Sequence, residues 1–138
     1  MLVSKFMKHY RKIKRAGFTL IEMLIIVGIL VTLAALIIPN ALKARMSAND
    51  VMAQATLKTV AGGMENYFFR KSRYPADTDD LVNDTPPYVN KDYFTGTQAG
   101  FIYEATLNPD SYVLTASPSI FGKTGSTTYT ITTGGVFQ

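Results

Sequence analysis

Glu22 is the only ionisable side chain between Phe18 and Ile38, a stretch otherwise made chiefly of Leu, Ile, Val, Met, Ala and Gly. A carboxylate in an apolar run costs roughly 2–4 kcal/mol if it enters lipid unpaired, and less near the interface. The sequence therefore requires a partner for Glu22, and finding that partner is the central chemical question. Elsewhere the inventory for catalysis is thin. Cysteine is absent, which excludes thiolate nucleophiles, thiolate metal sites and disulfides. His9, the single histidine, sits in a basic stretch and reads as a solvated side chain. No Gly-rich phosphate loop follows a strand pattern, no His/Glu metal signature is present, and the many serines and threonines have no identifiable base. Asp77, Asp79, Asp80 and Asp84 could offer oxygen ligands to Ca²⁺, but their spacing is not that of an EF-hand loop. A solvated, helix-capping acidic loop is the better reading. Asn83-Asp84-Thr85 fits a glycosylation sequon. No catalytic residue, cofactor or metal site is assigned from the sequence, and no enzymatic activity is expected.

Glu22 must be positioned by the run around it. Residues 18–38 form an apolar segment long enough for a helix to cross the roughly 30 Å hydrocarbon core, which takes about 20 residues. Lys5, Lys8, Arg11, Lys12, Lys14 and Arg15 precede it, against Lys43 and Arg45 just after it, so the positive-inside rule places the N-terminus in the cytoplasm. Those six account for the basic excess. Of 14 Lys and Arg against 10 Asp and Glu, removing six leaves 8 against 10, so the remainder is −2 although the whole chain is +4. A nucleic-acid partner inferred from overall charge is therefore not supported.

The junction Arg15-Ala16-Gly17-Phe18-Thr19-Leu20-Ile21-Glu22, followed by an unbroken apolar run to Pro39, resembles the class III signal of type IV pilins and type II secretion pseudopilins. The resemblance is close over residues 14–39 and is one of layout beyond. It implies cleavage by a membrane prepilin peptidase between Gly17 and Phe18, with N-methylation of Phe18 by the same enzyme. It also implies that Phe18, Glu22 and Pro39 belong to the assembly helix, and that the fold is α+β, with a long N-terminal helix packed on a small antiparallel sheet of 3–4 strands. On this basis Glu22 is expected to pair with the N-terminal amine of Phe18 on an adjacent subunit. An ordinary secretory signal would instead be cut near Asn40–Ala44. Its core is usually 7–15 residues, shorter than this run, and neither it nor a plain anchor gives Glu22 a role.

The expected organisation is a basic leader over 1–17, removed on maturation, a transmembrane and assembly helix over 18–39, an amphipathic helix over 40–73, and a loop and β head over 74–138. Gly28 allows a neighbouring helix to approach, and Thr32 can bond back to its own helix. Pro39 should kink or locally melt the helix. Ala53, Leu57, Val60, Met64 and Phe68 mark one helical face, with Lys43, Arg45, Asp50, Gln54, Lys58 and Glu65 mostly elsewhere on the cylinder. Gly62-Gly63 weakens the helix and suggests a bend or a close contact. Tyr74-Pro75 should end it. A connecting loop follows over 75–99, with one helical turn at Asp77–Val82. Period-two alternation then gives strands over 100–106 and 111–117 joined at Asn108-Pro109-Asp110, a third strand over 128–132, and a Gly134-Gly135 turn into Val136-Phe137. Phe101, Tyr103, Tyr112, Tyr129 and Phe137 should form the core against the helical stripe. An electron-transfer or adhesive role for the eight tyrosines and eight phenylalanines is weaker than that packing role.

Two classes of function remain. The favoured one is a subunit of a self-polymerising helical filament, built from membrane-held precursors by a peptidase/methyltransferase, an inner-membrane platform protein and a cytoplasmic ATPase, as the resemblance implies. Within it stand a pilus at the cell surface and a pseudopilus for secretion or DNA uptake. The other is a monomeric membrane-anchored binding module whose helix only tethers the head.

Overall fold

The computed structural model describes residues 17–138. The leader, its positive charges and His9 therefore lie outside the described residues, apart from Gly17. Two compact units divide the chain between Ile37 and Ile38. In the first, the described residues run from Gly17 and enter helix α1, Leu20–Lys71. Between Phe18 and Ile37 every side chain but Ala34 is exposed, and the most apolar 18-residue window of α1 has a mean hydropathy of 2.9. By length and composition this segment can cross a membrane. The helix continues through Pro39 without interruption, so local melting expected at the proline does not occur. Proline removes one backbone donor, and the surrounding helical turns tolerate that loss.

The second unit comprises the remainder of α1 and everything after it. Ala53, Leu57, Val60, Met64 and Tyr67 are buried at intervals of four, three, four and three, the repeat of one helical face. Phe68, assigned to that face from sequence, is 38% exposed and stacks on Tyr74 instead. A further step of four carries the side chain past the stripe, whereas a step of three returns to it. The helix ends at Lys71, two residues short of the expected Arg73. Ser72 turns into the left-handed region at φ 58° while its N–H donates to Phe68 O at 2.8 Å. Tyr74 N then donates to Pro109 O, leading the chain to the sheet.

The connecting loop carries one short helix, α2, Asp80–Asn83, and contributes Tyr74, Leu81 and Val89 to the core. The antiparallel sheet follows in the order β1-β2-β3-β4, with β1 Phe101–Asn108, β2 Ser111–Pro118, β3 Tyr129–Thr132 and β4 Val136–Phe137. Strand alternation sends Phe101, Tyr103, Tyr112, Leu114 and Ala116 inward, while Ile102, Glu104 and Val113 face out. Tyr129 and Phe137 pack at the margin of this core, only partly buried. Gly134 and Gly135, at φ 81° and 73°, make the β3–β4 turn in a backbone region that side-chain-bearing residues rarely adopt. Gly62 faces open space, but at Gly63 an added Cβ would lie 2.7 Å from Val89 Cγ1, so the second glycine is the close contact. The result is α+β, a helix face laid on a four-stranded meander.

Candidate processing and assembly site

Gly17 and Phe18 lie ahead of α1, outside the helix, and both are exposed, Phe18 at 71%. The helix begins immediately after Thr19, and Thr19 and Glu22 close a reciprocal capping box. Thr19 Oγ1 accepts from Glu22 N at 3.2 Å, while Glu22 Oε2 accepts from Thr19 N at 2.8 Å and from Thr19 Oγ1 at 2.7 Å. Thr19 O accepts the first intrahelical bond, from Met23 N at 3.2 Å. These contacts satisfy donors that a helix start leaves unpaired, and they place a carboxylate at the positive end of the helix dipole. The partner Glu22 needs is thus found first in its own chain. Sequence reading centred on Glu22 and did not assign Thr19 this role, although the Thr-x-x-Glu spacing is a recognised helix-start signal. Among the described residues, the hydrogen bonds to the Glu22 carboxylate fall on Oε2.

Beyond the cap, Leu20, Ile21, Leu24, Ile25 and their neighbours up to Ile37 present apolar surface in all directions. Fully covering a side chain of this kind contributes about 1.5–3 kcal/mol, so an extended run of them demands either lipid or other helices. Thr32 Oγ1 donates back to Ile29 O at 2.8 Å, as expected, and Gly28 has no atom near its Cβ position, leaving a place where a second helix backbone can approach. Pro39 lies within α1 as the apolar run ends.

The head's polar interior has a different role. Glu65, which the helical period places mostly away from the apolar stripe, accepts from Tyr112 OH at 2.9 Å, Gly134 N at 2.8 Å and Tyr74 OH at 3.2 Å. Burial, reinforced by Glu65, pushes the Tyr74 hydroxyl up to about 12, and the same causes raise Tyr112. Both hydroxyls are held protonated as donors, joining the helix to β2 and to the β3–β4 turn. Asp50, also placed on the polar side, is buried, where Ser126 N and Ser126 Oγ donate to it at 3.0 and 2.6 Å. Its position three residues before Ala53 and seven before Leu57 puts it on the stripe. Of the acidic loop, Asp77 Oδ1 accepts from Asp79 N, while Asp84 pairs with Lys71 at 3.1 Å. The Lys71 ammonium, with the Thr85 N–H, holds the Asp84 carboxyl below its ordinary range. Among the described residues no group of three or more potential metal ligands converges.

Residues 12–38 match the prokaryotic N-terminal methylation motif. The chain is 40% identical to the type IV wide pilus major component PilA4 of Thermus thermophilus over 49% of its own length and 51% of the relative's. It is 31% identical to the type II secretion system core protein G of Pseudomonas aeruginosa, over 57% of this chain and 61% of that one. With the competence protein ComGC of Streptococcus pneumoniae it shares 34% identity, over 51% and 65% respectively. The chain spans about half the length of the pilus component and under two thirds of the other two. With the methylation motif at the head of an apolar helix, and a four-stranded antiparallel sheet later in the chain, this protein is similar to type IV pilins and to type II secretion and competence pseudopilins.

Proposed function

We propose that the protein is a structural subunit of a type IV pilus-like filament, made as a precursor, cut between Gly17 and Phe18, N-methylated at Phe18 and polymerised through its N-terminal helix. The observation that carries this reading is the coincidence of an exposed Gly17-Phe18 junction with a capped carboxylate at the start of a helix whose apolar surface is uncovered all round. In the precursor, Thr19 holds Glu22 through Oε2. After cleavage, the new amine of Phe18 on an adjacent subunit is the donor that Oε1 can accept. A misregistered neighbour would leave the carboxylate facing apolar side chains, so the pair selects register in the way a polar residue does inside a coiled coil. The partners in this scheme are other subunits, a prepilin peptidase/methyltransferase, an inner-membrane platform and its ATPase. The precursor stands in the inner membrane with its leader in the cytoplasm, and the assembled subunit lies in the periplasm or at the surface.

Intact mass and N-terminal sequencing of protein from the native membrane test the processing step. A chain starting at Phe18 and heavier by one methyl group supports it, and a start near Ala41 refutes it. A pseudopilus for secretion or DNA uptake is the second reading, favoured by the likeness to a type II secretion core protein and to a competence protein. Recovery of the subunit in sheared surface filaments separates the pilus from that alternative.

A further inference from the structure

The loop between β2 and β3 carries an unusual tip, Ile120-Phe121-Gly122-Lys123. Ile120 is 54% and Phe121 73% exposed. The loop is fixed to α1 at two points, where Asn49 Nδ2 donates to Thr124 O at 2.8 Å and Ser126 donates to Asp50. At Gly125 an added Cβ would come within 2.3 Å of the Phe101 ring, so the chain passes tightly between helix and sheet. Held in this way, the tip lies over the helix at Leu42, Arg45 and Met46, and with them encloses a groove of about 450 Å³ that also takes in Ile120 and Lys123. All of these residues belong to the second unit, which begins at Ile38, the last residue of the apolar run.

We infer that this tip and groove form a foot that rests on the bilayer holding the precursor, with Phe121 and Ile120 in the interface and Arg45 and Lys123 on the headgroup of an anionic phospholipid. The depth fits. At 1.5 Å per residue, Leu42 and Met46 stand about 6 and 12 Å beyond Ile38. The headgroup layer occupies about 5–8 Å on each side of the hydrocarbon core, so Leu42 falls within it and Met46 just outside it. The chemistry fits as well. Aromatic side chains favour this layer, basic side chains there attract anionic lipid, and Lys43 adds a third cation at the same level. Asp50, the acidic residue at this end of the helix, is buried and turned toward Ser126, which donates to it.

The inference rests on the membrane-spanning reading of residues 18–38, and the test separates the two. The chain contains no tryptophan, so Phe121→Trp introduces a single reporter at an exposed position. The full-length variant is reconstituted into vesicles of phosphatidylcholine with phosphatidylglycerol, and Phe69→Trp, at an 89% exposed site far along the helix, serves as the control. Flotation with the vesicles after an alkaline carbonate wash, which strips peripherally bound protein, establishes the span. The expected result is blue-shifted emission from position 121, quenching by brominated lipid and protection from acrylamide, with position 69 unquenched by lipid. Adding Arg45→Glu and Lys123→Glu, or omitting the anionic lipid, should return position 121 to water-like emission. Protein that floats while the reporter at position 121 stays open to acrylamide and unquenched by lipid overturns the foot and leaves the span standing. A blue shift that depends on protein concentration without lipid quenching overturns it in favour of a contact between copies. Failure to float overturns both.

Discussion

Replacing Glu65 with alanine should destabilise the head by about 3–4 kcal/mol. The side chain accepts hydrogen bonds from three donors, Tyr74 OH, Tyr112 OH and Gly134 N, at 2.8–3.2 Å. A hydrogen bond to a charged group contributes about 1.5–3 kcal/mol net when buried, and Glu65 is only half-buried, so about 1–1.5 kcal/mol per donor is appropriate. Tyr74 and Tyr112 are 4% and 1% exposed, so their hydroxyls cannot turn to solvent without moving aromatic rings that pack edge-on at 5.0 Å. Alanine returns a few tenths of a kcal/mol in helix propensity. For a head of about 100 residues the balance corresponds to a fall in midpoint on the order of 15 °C. Glu65→Gln keeps an uncharged acceptor and should lose about 1–2 kcal/mol. Urea unfolding of the full chain in detergent micelles, followed by near-ultraviolet circular dichroism, reads the tyrosines without interference from tryptophan. A double-mutant cycle with Tyr112→Phe should give a coupling of at least about 1 kcal/mol. An alanine variant within about 0.5 kcal/mol of wild type, or a coupling near zero, would refute the idea that Glu65 ties helix to sheet.

Glu22→Ala should insert and be processed like wild type but enter filaments poorly, whereas Thr19→Val loses only the capping contacts, about 1 kcal/mol, and should still assemble. Equal incorporation of Glu22→Ala and wild type, in a competition read by mass spectrometry of sheared filaments, would sink the register mechanism. The neighbouring glycines should respond with opposite signs: Gly62→Ala faces open space and gains up to about 1 kcal/mol, while Gly63→Ala drives a methyl into Val89 and loses about 1–3 kcal/mol. Thermal midpoints of the two variants moving in the same direction would contradict this. Because Tyr74 is neutral up to about 12 in the folded head and titrates near 10 when unfolded, the unfolded chain binds fewer protons above pH 10. Its contribution to stability is therefore complete below about pH 10 and lost as pH rises toward about 12. Midpoints measured between about pH 8 and 12 should fall over the upper part of that range, and less steeply in Tyr74→Phe.

Much of this architecture could be read in the chain because its signals are local. An uninterrupted apolar run with a single carboxylate announces a membrane-length helix whatever lies beside it. The alternation Phe101-Ile102-Tyr103-Glu104 and Tyr112-Val113-Leu114-Thr115 names its own inner face, since successive strand side chains point to opposite sides. The two-residue turn at Pro109-Asp110 and the glycine turn at 134–135 follow from backbone preferences of the residues themselves. The capping box at Thr19 and Glu22 is equally local, since its Thr-x-x-Glu spacing stands in the chain itself.

What only the tertiary structure decided concerns polar residues and the end of the helical stripe. The helical period places Glu65 and Asp50 mostly away from the apolar stripe, yet Tyr74, Tyr112, Gly134 and Ser126 come from segments remote in sequence to supply donors, and a carboxylate so supplied can lie inward. The choice of Tyr67 over Phe68 likewise depends on where the loop and sheet lie, because both are aromatic and one step apart. Helix and strand periods determine which faces are apolar. Which charged groups those faces can accept is decided by hydrogen-bond partners that arrive only when the chain closes on itself.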